Sequence, residues 1–271
     1  MSLFRKLNQL LGNFTTHDGV IVLMYHRVND KLPKGNLVTY PAEFKKQMMF
    51  LNFYRKQFEV ISVDEMIRGD CFGASRLAMT KEEGLVMTKG DGLAMTGKPR
   101  TKIVITFDDG YRDNYIYAFP ILKKYKFPAM VFLTTDYIGT EYKKDRYKDV
   151  PWKRDYLSVE EIKEMMAGGI SFGAHTATHP HLTQISLDEA EKEIKKSKEY
   201  IGKTGPFCYP YGDYNEKVKE IVKKLGFNCA FTVKPGINYR GQDLFEIKRI
   251  DVVGEDNFAS FKYKITDKYK I

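Results

Sequence analysis

Residues 104–115 read VITFDDGYRDNY. An apolar, β-branched run of strand type ends in two adjacent carboxylates, Asp108 and Asp109, with Gly110 behind them. The segment that follows, NYIYAFPILKKY, has the spacing of an amphipathic helix. Strand, turn and helix make one βα unit, and the unit recurs on both sides. Upstream, VIVLMYH precedes AEFKKQMMFLNFY and EVISV precedes DEMIRG. Downstream, AMVFLTT leads to SVEEIKEMMAGG, ISFGAHT to SLDEAEKEIKKSKEYIG, and FCYPYG to NEKVKEIVKKLG, while CAFTV is followed by EIKRIDVV. This rhythm, with no linker between units, predicts an α/β chain folded as a distorted, TIM-barrel-like (β/α) barrel of about seven parallel strands. Ser158 and Ser186 are N-cap candidates, with Glu161 and Glu189 three residues on, and Gly168 and Gly226 mark helix ends.

One segment breaks the pattern. Within residues 71–99 the tetrads Leu77-Ala78-Met79-Thr80, Leu85-Val86-Met87-Thr88 and Leu93-Ala94-Met95-Thr96 recur every eight residues. So short a repeat cannot form a solenoid. It reads as a low-complexity insertion in a loop of a single domain spanning 1–271, tolerated because lengthening a loop costs little closure entropy.

Composition bounds the function. With 43% hydrophobic and 29% charged residues in 271, the chain can bury a large core and keep a solvated surface. The net charge of +9 is spread along helical segments such as EKEIKKSKEYIGK, so no nucleic-acid partner is expected. Cys71, Cys208 and Cys229 lack metal-like spacing, which argues against a disulfide framework or a cysteine zinc site. MSLFRKLNQLLGNF has no long apolar h-region and VIVLMY is too short to span a bilayer, so a cytoplasmic location with no transmembrane segment is expected. Leu3, Phe4, Leu7, Leu10 and Leu11 could form a small membrane-touching face or, in the reading preferred here, a helix lid packed on the body. No protein partner can be inferred.

In a parallel barrel the C-terminal strand ends share one mouth, and the Asp108–Asp109 pair lies at such an end. Neighbouring residues on a strand point to opposite sides, which suits the two carboxylates to two different tasks. SFGAHTATHPHL sets His175 and His179 four apart after another strand. If the intervening residues form a helical turn, both imidazoles lie on one face and can share a metal. His181, behind Pro180, would not share that face. Two histidines and one carboxylate leave an open coordination position, and the remaining carboxylate is then free to accept a proton.

The motifs TFDDGY, HTATHPHL and FCYPYGDYN, in this order, resemble three signatures of the polysaccharide deacetylases, the NodB-homology domain of carbohydrate esterase family four. The resemblance runs from VIVLMYHRV to EIKRIDVV, the repeat insertion apart. It implies a catalytic base at Asp108, metal ligands at Asp109, His175 and His179, and a divalent ion, zinc first among those expected. It also implies an oxyanion-holding main-chain N–H at Tyr211, with Tyr209 and Pro210 shaping a groove wall. The chain departs from the pattern twice. Cys208 stands where many members carry the arginine that orients the base, and Arg249 is the substitute expected here. No histidine follows His181, so the usual C-terminal general-acid motif is absent. LMYHRV resembles the permuted order of biofilm-type deacetylases, which implies that His26 protonates the leaving amine. The implied substrate is an N-acetylated glycan, deacetylated by metal-dependent hydrolysis. The alternatives are a different amide or imide, or a non-catalytic glycan-binding module of the same fold.

Overall fold

The computed structural model describes residues 19–33, 35, 37–69, 100–142, 154–202 and 205–266. The repeat segment 71–99, Cys71 and the leucine-rich start of the chain lie outside the described residues. The strands are β1 (Val20–Tyr25), β2 (Arg27–Val28), β3 (Val38–Thr39), β4 (Phe58–Val60), β5 (Thr101–Phe107), β6 (Ala129–Leu133), β7 (Glu141–Tyr142), β8 (Arg154–Asp155), β9 (Ile170–Ala174), β10 (Pro206–Cys208), β11 (Cys229–Phe231) and β12 (Ile250–Asp251). The helices are α1 (Pro41–Phe53), α2 (Val63–Arg68), α3 (Phe119–Tyr125), α4 (Val159–Ala167), α5 (Leu187–Ile201), α6 (Glu216–Lys224) and α7 (Phe258–Thr266).

The main sheet runs β11-β10-β9-β6-β5-β1-β12, with β4 also paired to β5, and every pairing within it is parallel. It curls into a distorted barrel. Its two ends meet through one short segment: Ile247 exchanges main-chain hydrogen bonds with β11, at Ala230 and Thr232, while Ile250 and Asp251 pair with Leu23 and Met24 of β1.

Strand periodicity divides the core. In β1 the side chains of Val20 and Val22 join an interior cluster with Val104, Met130, Phe132, Cys208 and Phe231. Ile21, Leu23 and Tyr25 face the other way and pack with Phe44, Met48, Phe119 and Leu122 of the surrounding helices. All six residues of β1 are therefore buried, as in a parallel sheet covered on both faces. The short helix α2 adds Val63 and Met66 to the interior cluster. Capping boxes start α2 at Ser62, α4 at Ser158 and α5 at Ser186, each satisfying orphan N–H groups of the first turn. The segment that continues from the DDG turn opens with a π-helical stretch, Asn114–Ala118, before regular α3.

Candidate functional site

The site sits where β1, β5, β9 and β10 end. Asp108 follows β5, and its N–H donates to the Tyr25 carbonyl at 2.9 Å, so His26 and Asp108 leave adjacent strands side by side. His26 Nε2 lies 3.9 Å from Asp108 Oδ2. His175 follows β9 and is tied to β6 by its N–H on the Leu133 carbonyl. Cys208 closes β10.

Arg249, fully buried, reaches Asp108 from the segment that joins the ends of the sheet. Nη1 and Nη2 each donate to a carboxylate oxygen at 2.7 Å, a bidentate pair. Nε donates to the Thr232 carbonyl at 2.7 Å, Nη1 to Thr106 Oγ1 at 3.3 Å and Nη2 to Cys208 Sγ at 3.0 Å. All five guanidinium donors thus have an acceptor, the condition under which a buried cation is tolerable. Burial pushes the Asp108 carboxyl up, but the charge and hydrogen bonds of Arg249, with the nearby His175 and His26, outweigh it and hold it below the usual carboxylate range. Asp108 is ionised at neutral pH.

Asp109 turns away from this pair. Its φ of 74° is left-handed, a conformation rarely adopted without glycine, and Gly110 continues it at 77°. A Cβ on Gly110 would stand 2.7 Å from Leu133 Cδ2, so the turn also requires the missing side chain. The turn brings Asp109 Oδ1 to 3.1 Å from His179 Nε2 and 3.5 Å from His175 Nε2.

His175 and His179 converge without a helical turn. This corrects the sequence expectation: the intervening residues form a loop, with Thr176 at φ 63° and His179 at φ 62°. Side chains hold the loop in place of helical hydrogen bonds. Thr176 Oγ1 donates to the His175 carbonyl at 2.6 Å and accepts the His179 N–H at 2.9 Å. The Glu193 carboxylate, on α5, accepts the N–H groups of Ala177 and Thr178 and the Thr178 hydroxyl.

Asp109, His175 and His179 fit a divalent cation. Their ligand atoms lie within 4.8 Å of one another and all three residues are buried. Asp109 Oδ1 is a buried oxygen with no hydrogen-bond partner, although two imidazole nitrogens approach it. His175 Nδ1 faces the Cys208 carbonyl at 2.8 Å. A carbonyl only accepts, so Nδ1 carries the proton and Nε2 offers its lone pair. Burial first, then the neighbouring His179, lower the His175 pKa to about 4 against the pull of Asp108 and Asp109. The imidazole is neutral, as a ligand must be. A second grouping, Asp108, His175 and Cys208, is equally compact, but there the Arg249 guanidinium already occupies the Asp108 oxygens.

Tyr211 stands over the histidines at φ 59°, its ring edge-to-face with His179, the centroids 4.5 Å apart. Tyr209 and Pro210 are both buried. Alternation along β10 sends Cys208 into the barrel and turns Phe207 and Tyr209 towards the helices, where the Tyr209 ring stacks on Tyr214. Asp251 is a residue that sequence reading overlooked. Burial raises its carboxyl despite the charges of His26 and Lys264, and its Oδ1 is buried without a hydrogen-bond partner. Its only sequence signal was a lone carboxylate within EIKRIDVV.

The polysaccharide deacetylase family model matches residues 96–230, which carry the DDG turn, the histidine loop and the end of β10. The poly-β-1,6-N-acetyl-D-glucosamine N-deacetylase of Staphylococcus epidermidis is 27% identical over 270 residues, covering 90% of this chain and 82% of its own. The chain belongs to the polysaccharide deacetylase family. Two solved deacetylases superpose on nearly all of it. One is PplD of Streptococcus pyogenes, determined with acetate, at TM-score 0.69 and 25% identity over 93% of this chain and 99% of that one. The other, from Bacillus cereus, gives 0.68 and 27% over 92% and 69%. As a polysaccharide deacetylase the chain is a hydrolase of a carbohydrate-bound amide. The distorted barrel is the fold of these relatives. No helix among the described residues is long and apolar enough to cross a membrane.

Proposed function

We propose that this deacetylase removes N-acetyl groups from amino sugars of an oligo- or polysaccharide, with a divalent cation, zinc first, held by Asp109, His175 and His179. The observation that carries the reading is the side-by-side arrangement of two differently employed carboxylates. Asp109 faces two imidazoles, and Asp108 is locked to Arg249. A cation bound there would supply the positive charge that polarises the amide and acidifies water.

The remaining chemistry belongs to the side chains. Asp108, ionised and fixed by Arg249, accepts the proton of the attacking water as its oxygen bonds to the acetyl carbon. The main-chain N–H of Tyr211 donates to the oxyanion that forms. His26, beside Asp108 at the end of β1, gives a proton to the amine as the carbon–nitrogen bond breaks, and acetate and the free amino sugar leave. Arg249 is a positioning residue, since it reaches the reaction only through Asp108.

The test is acetate release from chitin-type, peptidoglycan-type and poly-β-1,6-glucosamine oligomers, with added zinc, comparing the native chain with Asp109→Ala and Asp108→Asn. Release by the native chain alone supports the reading. Release from none of the three, together with ring opening of a cyclic imide, would replace it with a different amide substrate.

A further inference from the structure

Tyr211 holds a left-handed backbone in a non-glycine residue directly above a proposed ligand, and the residue is 45% exposed. Such a conformation persists only where its surroundings over-determine it. One surrounding group stands out. The imidazole of His181 lies flat on the Tyr211 ring, centroids 3.8 Å apart and planes 8° from parallel. His181 is anchored in turn: its Nδ1 is 3.6 Å from Asp213 Oδ2, and Asp213 accepts the hydroxyl of Thr183 at 2.6 Å and its N–H at 3.2 Å. The turn closes on itself through the Gly212 N–H on the Tyr209 carbonyl and the Asp213 N–H on the Pro210 carbonyl, both at 2.9 Å. Residues 179–183 and 209–213 are therefore clasped at two points, a ring stack and a carboxylate.

We propose that His181 is a positioning residue, an aromatic plate that fixes the Tyr211 turn over His179 and so sets the place of the Tyr211 main-chain N–H. The consequence for catalysis rests on the proposed deacetylation; the clasp itself does not. The stack, not the charge, is the part that matters. An imidazole–carboxylate contact of 3.6 Å between partly exposed groups is weak, whereas parallel rings at 3.8 Å define an orientation. A phenyl ring should therefore replace the imidazole.

The experiment is amide hydrogen exchange over residues 209–215, zinc binding by calorimetry, and steady-state acetate release, for the native chain, His181→Ala and His181→Phe. For His181→Ala the Gly212 and Asp213 amides should exchange about tenfold faster. Its zinc affinity should stay within about twofold, because Thr176 and Glu193, not His181, hold the loop that carries the two histidines. Its kcat should fall about tenfold with KM little changed. His181→Phe should restore both exchange and kcat. Unchanged exchange in His181→Ala, a His181→Phe variant as impaired as His181→Ala, or a large loss of zinc affinity would each overturn the assignment. If the native chain releases no acetate from any oligomer, the deacetylation reading falls, and the exchange data still decide the role of His181.

Discussion

Taking away the Arg249 guanidinium would leave the Asp108 carboxylate buried with its main compensating charge gone. Breaking one side of such a pair costs about 3–5 kcal/mol, so Arg249→Gln should lower the urea midpoint by a matching amount. The same change should move activity. Arg249 opposes the upward push of burial on Asp108, so without it the carboxyl protonates at higher pH and the acid limb of kcat/KM shifts upward. An acid limb that stays where it was would rule out Asp108 as the base set by Arg249. In the native chain the depressed carboxyl contributes stability above its unfolded pKa, about 4. That contribution is lost as the pH falls through the lower folded value. Arg249→Lys should not restore the native profile, because an ammonium cannot make the two-pronged contact. At this scale residue type and spacing singled out the adjacent carboxylates and the two histidines, which the structure brings together, while the resemblance pointed to Arg249, just before the last strand. Asp251 was not singled out, because one carboxylate at a strand end has many bland explanations.

Elements place these side chains through backbone shapes that sequence hides. Of the five non-glycine residues at positive φ among the described residues, Asp109, Thr176, His179 and Tyr211 cluster at the site, and the fifth, Lys126, caps α3. A helical turn was the natural expectation for H-x-x-x-H. Side-chain hydrogen bonds to Thr176 and Glu193 chose a loop instead, and those to Glu193 reach across 15 and 16 residues, too far apart in the chain to be read as a motif. Glu193→Ala should therefore weaken zinc binding by about tenfold or more although Glu193 is not a proposed ligand. Calorimetry showing native affinity would remove the loop brace from the account. Gly110→Ala forces a Cβ against Leu133 in a left-handed turn and should destabilise by about 1–3 kcal/mol in thermal melts. The burial of Tyr209 follows from the period of β10, and its alternation was available in FCYPYG. What the sequence lacked was the phase, since both Cys208 and Tyr209 are plausible interior residues.

For the whole molecule, the βα rhythm made the barrel legible because strands such as β1 and β6 are compact apolar runs and α4 and α5 begin at their serine caps. The way the ends of the sheet meet was not legible, because β12 is two residues long and its neighbour contact rests on Ile247. Cation binding should couple to the stability of the assembled barrel. Zinc at a hundredfold excess over Kd should add about 2.7 kcal/mol, raising the melting temperature, and a chelator should reverse the rise. Asp109→Ala should melt at one temperature with or without zinc. A zinc-induced rise that survives in that variant would move the ion to another place.

The segment 247–251 binds β1 to β11 and also carries Arg249 and Asp251. A chain emerging from the ribosome therefore has its paired aspartates and histidines long before the base is oriented. Competence arrives only when the final stitch is made. Local fraying of that seam would silence the hydrolase while most of its strands remain paired, so loss of turnover on mild heating should precede the loss of β-sheet signal.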